Sequence, residues 1–111
     1  MKPIILTLVS ALVALSAFAQ QKPTYPDTEA GKHVGEEAMV TGKLVNVFTS
    51  GSGTTFLNLG DRFPRQTFGA VIFASKQETV GDVKKYEGKD VIITGKIELS
   101  KDEKPQIIIS S

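Results

Sequence analysis

The chain carries one histidine, His33, and no cysteine, which narrows the chemistry open to it. There is no thiol nucleophile and no disulfide. His33 with Glu36 and Glu37 has a metal-like look, yet a zinc site needs three or four convergent ligands, so no metal is expected there. The single histidine lies near neither serine cluster in sequence, which leaves a serine triad unsupported. Gly51-Ser52-Gly53 lacks the lysine and the strand–loop–helix setting of a phosphate loop, and reads as a hairpin turn. Asp61 beside Arg62 invites a nuclease reading but fits a turn residue better. No enzymatic activity and no cofactor are expected.

What remains is a set of rings, amides and cations suited to binding. Phe56 and Phe63 are flat apolar platforms, Asn58 offers a neutral amide, and Arg62 and Arg65 flank Phe63. Rings of this kind stack on bases or sugars, and neighbouring cations meet phosphates. Lys101 and Lys104 could reach a phosphate too, although Asp102 and Glu103 between them cancel much of their field. Phe68 and Phe73 read as core residues.

These side chains need a scaffold, and 111 residues suffice for one domain with a modest core. Residues 1–19 read as an export signal: Lys2 supplies the positive start, Ile4 to Leu15 the apolar centre, and Ala17-Phe18-Ala19 a small-x-small cleavage pattern. Cleavage after Ala19 would place the mature chain in a periplasm or outside the cell, with the membrane involved only through that signal; the rival reading is an uncleaved anchor, for which roughly 17 apolar-rich residues stand at the short limit of a bilayer span. No cysteine follows to take a lipid. Without Lys2, 12 basic side chains face 12 acidic ones, so the overall basic excess common in proteins that grip a nucleic-acid backbone is missing. Residues 20–27 carry two prolines and read as a flexible leader, and residues 28–111 as the folded domain.

Within that domain two stretches repeat one design. Gly88 to Ile97 matches Gly35 to Leu44, sharing apolar-Thr-Gly-Lys-apolar in register. Val91, Ile93, Ile97 and Leu99 alternate with Thr94, Lys96 and Glu98, a period of two that means strand. A glycine inside each strand costs roughly 0.5–1 kcal/mol against alanine, so it predicts a bend, a bulge or a close backbone approach.

The remaining elements follow from the same patterns. Asp27 or Thr28 can cap a helical turn that packs Ala30 and Val34 on one side and ends at Gly35. In the strand from Glu37 to Phe48, Ala38, Val40 and Leu44 share one parity while Val45 and Val47 take the other, which predicts a bulge near Leu44–Val45. A second strand over Thr54 to Leu59 puts Leu57 and Leu59 on one side and Phe56 and Asn58 on the other. A third, Thr67 to Ala74, is apolar on both faces. Ser75 to Glu87 reads as the one long helix, with two capping boxes, weakened by Gly81. A last strand over Pro105 to Ser110 follows a polar turn. The order is three strands, a helix, then two strands, which predicts an all-β five-stranded Greek-key barrel of OB-fold type, with one helix between strands three and four and a signal helix ahead of it. Another small closed or half-open barrel with the same strand count is the rival arrangement.

The runs Thr55-Phe56-Leu57-Asn58-Leu59-Gly60, Phe63-Pro64, Phe68 with Val71-Ile72, Glu87 through Ile97, and Lys104-Pro105-Gln106-Ile107 resemble small exported bacterial OB-fold proteins of nucleic-acid-binding type. The likeness covers about Ala30 to Ile109. It implies single-stranded nucleic-acid binding on the face of the second and third strands, where Phe56, Asn58, Arg62, Phe63, Arg65, Lys101 and Lys104 are the candidates. The family pattern has an aromatic and a glycine just before Lys-Pro-Gln-Ile, whereas this chain has Ser100-Lys101-Asp102-Glu103, so one stacking contact is lost. Charge balance and an exported address equally suit an adaptor for an oligosaccharide, a cell-wall fragment or an envelope protein.

Overall fold

The structure, a computed structural model, describes residues 22–110 and is mostly β-sheet. Its longest element is β2 (Glu37–Thr49), which has to satisfy three neighbours. The first half of β2 runs antiparallel to β5 (Asp90–Lys96), and the second half antiparallel to β3 (Thr55–Leu59). Between the halves the register slips from Leu44 to Asn46, leaving Val45 as the extra residue of the predicted bulge. Burial explains the slip: Leu44 and Val47 are 0% and 7% exposed, and a strand of unbroken alternation could not turn both inward.

Before the bulge, β3 leaves one side of β2 unpaired, and the expected leader fills it. Thr24–Pro26 forms β1, parallel to Met39–Thr41. Proline is tolerated there because the strand is short and lies at an edge. Residues 24–26 are thus a strand where a flexible leader is predicted. The turn after β1 is also shorter than expected, a single 3₁₀ turn at Ala30–Lys32 with no side-chain cap. Asp27 instead accepts a hydrogen bond from Thr67 Oγ1, Ala30 is buried, and Val34 is exposed.

β3 continues antiparallel into β4 (Phe68–Ile72), which pairs in parallel with β7 (Pro105–Ile108), and β7 pairs with β6 (Glu98–Leu99). The hydrogen-bonded path is therefore β1-β2-β3-β4-β7-β6, with β5 attached to β2. This corrects the expected five-stranded closed barrel: there are seven strands, and the path does not close. The extra strands are β1 and the product of a break at Ile97, which splits the expected fourth strand into β5 and β6. Ile97 directs its N–H to Glu36 O and accepts from Gly35 N, at 2.9 and 2.7 Å, extending the β2 ladder while β6 turns to β7. Leu99, expected to face inward with Ile93 and Ile97, is exposed beyond that break.

The expected long helix is also corrected. Ala74–Lys76 and Lys84–Tyr86 are 3₁₀ turns, and only Gln77–Val80 (α1) is α-helical. Gly81, at φ +88°, stops α1, and no side chain caps its start. Gln77 holds the segment in place: its Nε2 faces Gly53 O, Thr55 Oγ1 and Ile72 O at 2.8–3.2 Å. Val80 and Val83 still pack on the core, whereas Tyr86 is exposed. Phe68 is fully buried as expected, but Phe73, at the head of the first 3₁₀ turn, is 48% exposed. Among the described residues no helix is long and apolar enough to cross a membrane, and the signal over 1–19 lies outside them.

Candidate binding groove on the outer sheet face

Register turns the sequence alternation into three rows that cross β2, β3, β4 and β7. Val47, Leu57, Ala70 and Ile107 are paired in turn and face the core, each 7% exposed or less. The neighbours on either side of this row point outward. One outer row is Phe48, Phe56, Val71 and Ile108; the other is Asn46, Asn58, Gly69 and Gln106. An apolar row and an amide row thus lie side by side, two residues apart along each strand, or about 7 Å. Four strands at about 4.8 Å spacing make each row about 14 Å long.

A groove of about 540 Å³ covers most of this face. Its walls bring together Phe56, Asn58, Arg62, Phe63 and Lys104 from the expected set, whereas Arg65 and Lys101 do not line it. Arg65 is an exposed residue of the turn in which its N–H bonds Arg62 O, and Lys101 sits at the exposed tip of the turn that Ser100 and Lys104 close. Phe48, Phe56 and Phe63 present rings to solvent, at 57%, 38% and 63% exposure.

Sequence reasoning missed Asn46, Phe48, Gln66, Asp102 and Gln106 as groove residues. For Asn46 and Phe48 the signal was present: once the bulge turns Val47 inward, its two neighbours must point outward. Asn58 Nδ2 donates to Asn46 Oδ1 at 3.1 Å, which aligns the first two amides of their row. Gln66 Oε1 is buried in the wall without a hydrogen-bond partner among the described residues.

Charge on the groove is small and contested. Asp102 lines it with Lys104, and Arg62 adds to the field that holds the Glu87 carboxyl below its ordinary range. The larger causes of that lowering are the Val47 N–H, at 2.8 Å, and Lys84. Glu87 and Lys84 thereby close the backbone of β2 just past the bulge, since Lys84 Nζ also reaches Val47 O.

The His33 cluster has a structural role. Its ring stacks on Tyr25 with centroids 3.7 Å apart, His33 Nδ1 lies 2.7 Å from Glu36 Oε2, and Tyr25 Oη donates to Glu36 Oε1 at 2.6 Å. The three residues tie β1 to the start of β2. Glu37 takes no part, and among the described residues no three His, Cys, Asp or Glu side chains are placed to hold a metal. The Tyr25 hydroxyl, then His33, hold the Glu36 carboxyl below its usual 4.5, and the same bond raises Tyr25 above 10.0. A lowered carboxyl stabilises the fold above its unfolded value and loses that contribution as pH falls through the folded one. Stability against urea should therefore drop on acidification below pH 4.5. Glu36→Gln should flatten that part of the profile, and an unchanged acid limb would show that the cluster contributes nothing.

No protein-family model matches the chain, and no curated protein does. Among solved structures it is similar to a Klebsiella pneumoniae protein provisionally described as a nucleic acid-binding lipoprotein. The two share 17% identity at a TM-score of 0.48, over 84% of this chain and 92% of that one. A likeness of that size identifies no ligand for this chain.

Proposed function

We propose that this chain is an exported, non-enzymatic binding module of OB type that lays a short single strand of nucleic acid across its outer sheet face, held by stacking more than by charge. The observation that carries this reading is the convergence of Phe48, Phe56 and Phe63 on one groove with Arg62 and Lys104 in its walls. Exposed rings are costly to leave in water unless something covers them, and bases stack on them at about 1–3 kcal/mol each. The OB assignment is supported by the strand order: β2 is shared between β3 and β5, β4 and β7 are parallel, and α1 falls between β4 and β5. Taking β5 and β6 as halves of one strand, and β1 as an addition, leaves five. Export is supported by the signal pattern over 1–19.

Fluorescence anisotropy with labelled hexanucleotides at low salt tests the reading. Binding is expected at or below about 100 μM, the weak end of non-specific nucleic-acid affinity. Absence of binding there ends it. Arg62→Ala should lower the slope of log affinity against log salt by about 0.7, one phosphate of a single strand. Arg65→Ala, outside the groove, should leave the slope where it was.

A second reading takes the groove as a site for an uncharged oligosaccharide. It is favoured by Asp102 opposing Lys104 within the groove and by the even charge balance beyond the signal. Titration with neutral cell-wall oligosaccharides separates the two, because that binding would be indifferent to salt.

A further inference from the structure

Resting on the nucleic-acid reading, we infer that the groove is built for about three nucleotides of any sequence, so that its ligand class is the short fragment rather than the long strand. Three rings reach the groove, Phe48, Phe56 and Phe63, together with two cations, Arg62 and Lys104. Three stacked bases are joined by two bridging phosphates, so the platforms and the cations match one trinucleotide. Size agrees with the count. The volume of about 540 Å³ falls within the roughly 300–1,000 Å³ of clefts that hold small ligands.

Beyond the rings the face gives a longer strand little to hold. On β4 and β7 the apolar row continues as Val71 and Ile108, which are aliphatic, and Val71 is nearly flush with the sheet at 7% exposure. The amide row passes through Gly69 to Gln106, and Gln106 pairs with Glu98 on β6. Cross-strand partners share a face, so that row ends on a carboxylate. Asp102, in the turn from β6 to β7, adds a second. A strand extended past β7 would carry its phosphates toward both, where like charge opposes it. Past β2 the cation of Lys84 is already committed to Glu87 and to Val47 O.

Isothermal titration with unlabelled oligothymidylates that lack terminal phosphates tests this. dT3 should bind with a salt slope of about −1.4, two phosphates at about −0.7 each. dT6 offers a three-nucleotide site about four registers, so it should exceed dT3 by about fourfold and keep the same slope. dT2 should bind at least about fivefold more weakly than dT3, the low end for losing one stacked base. Glu98→Gln, outside the groove, should raise the dT6 affinity about twofold at low salt and leave dT3 unchanged. A dT6-to-dT3 ratio clearly above fourfold with a steeper slope for dT6, equal binding of dT2 and dT3, or a dT6 affinity untouched by Glu98→Gln would overturn the inference and leave the nucleic-acid reading standing. Failure of every oligothymidylate to bind would instead remove that reading.

Discussion

Replacing Phe48 and Phe56 together by alanine should weaken hexanucleotide binding by at least about thirtyfold, from two stacking contacts of about 1–3 kcal/mol each. The two rings sit directly opposite each other across β2 and β3, with side chains on the outer face. Their removal should therefore spare the fold. The core row beneath them, Val47 with Leu57, is untouched, and exposed substitutions away from special features change stability by only about 0.5 kcal/mol. Thermal unfolding thus serves as the control. Loss of affinity with an unchanged melting temperature supports the groove, whereas retained affinity in the double variant would move the ligand elsewhere. Phe63→Ala alone should cost less than the pair, because Phe63 comes from the connection after β3 and has no partner ring in a strand register.

Gly95→Val should destabilise the fold by about 3 kcal/mol, the upper part of the range for overpacking a filled core. A Cβ built on Gly95 would lie 2.6 Å from Ile107 Cγ2, and Ile107 is fully buried. Across the β2–β5 ladder Gly95 faces Ala38, also fully buried, so β5 cannot move away without disturbing that pair. In a domain of this size such a loss lowers the melting temperature by roughly 12–24 °C. Gly51→Ala is the matched control, because nothing lies within 4 Å of the added carbon. A Gly95→Val chain that melts with the parent would show that β5 and β7 do not approach as closely as described.

The two matched glycines show how far the sequence reaches. Its Thr-Gly-Lys repeat announces two strands with a crowded point in each, because a mid-strand glycine is disfavoured unless something needs the space. What occupies the space is long-range. At Gly42 an added carbon would meet Asp27 and Leu59 at 3.0 Å, and at Gly95 it would meet Ile107. The repeat thus marks two close approaches of different origin. The helix fails for the complementary reason. Ser75 to Glu87 has the apolar spacing of a helix, but the backbone conformation of Gly81 and the anchoring of Gln77 to three acceptors outweigh a weak local preference.

Taken alone, the order of residues determined what depends on near neighbours: the period-two strands, the bulge that carries Val47 inward, the outward side of Phe56 and Asn58, and the absence of thiol chemistry. A side chain's choice of face is set within a few residues, so it can be read without partners. The tertiary structure alone decided which strands lie side by side, that β1 completes the free side of β2, that the path breaks at Ile97, and that Gln66, Asp102 and Gln106 join the groove while Arg65 and Lys101 do not. Those outcomes depend on register between segments far apart in the chain, where a slip of one residue would exchange every inward side chain for an outward one.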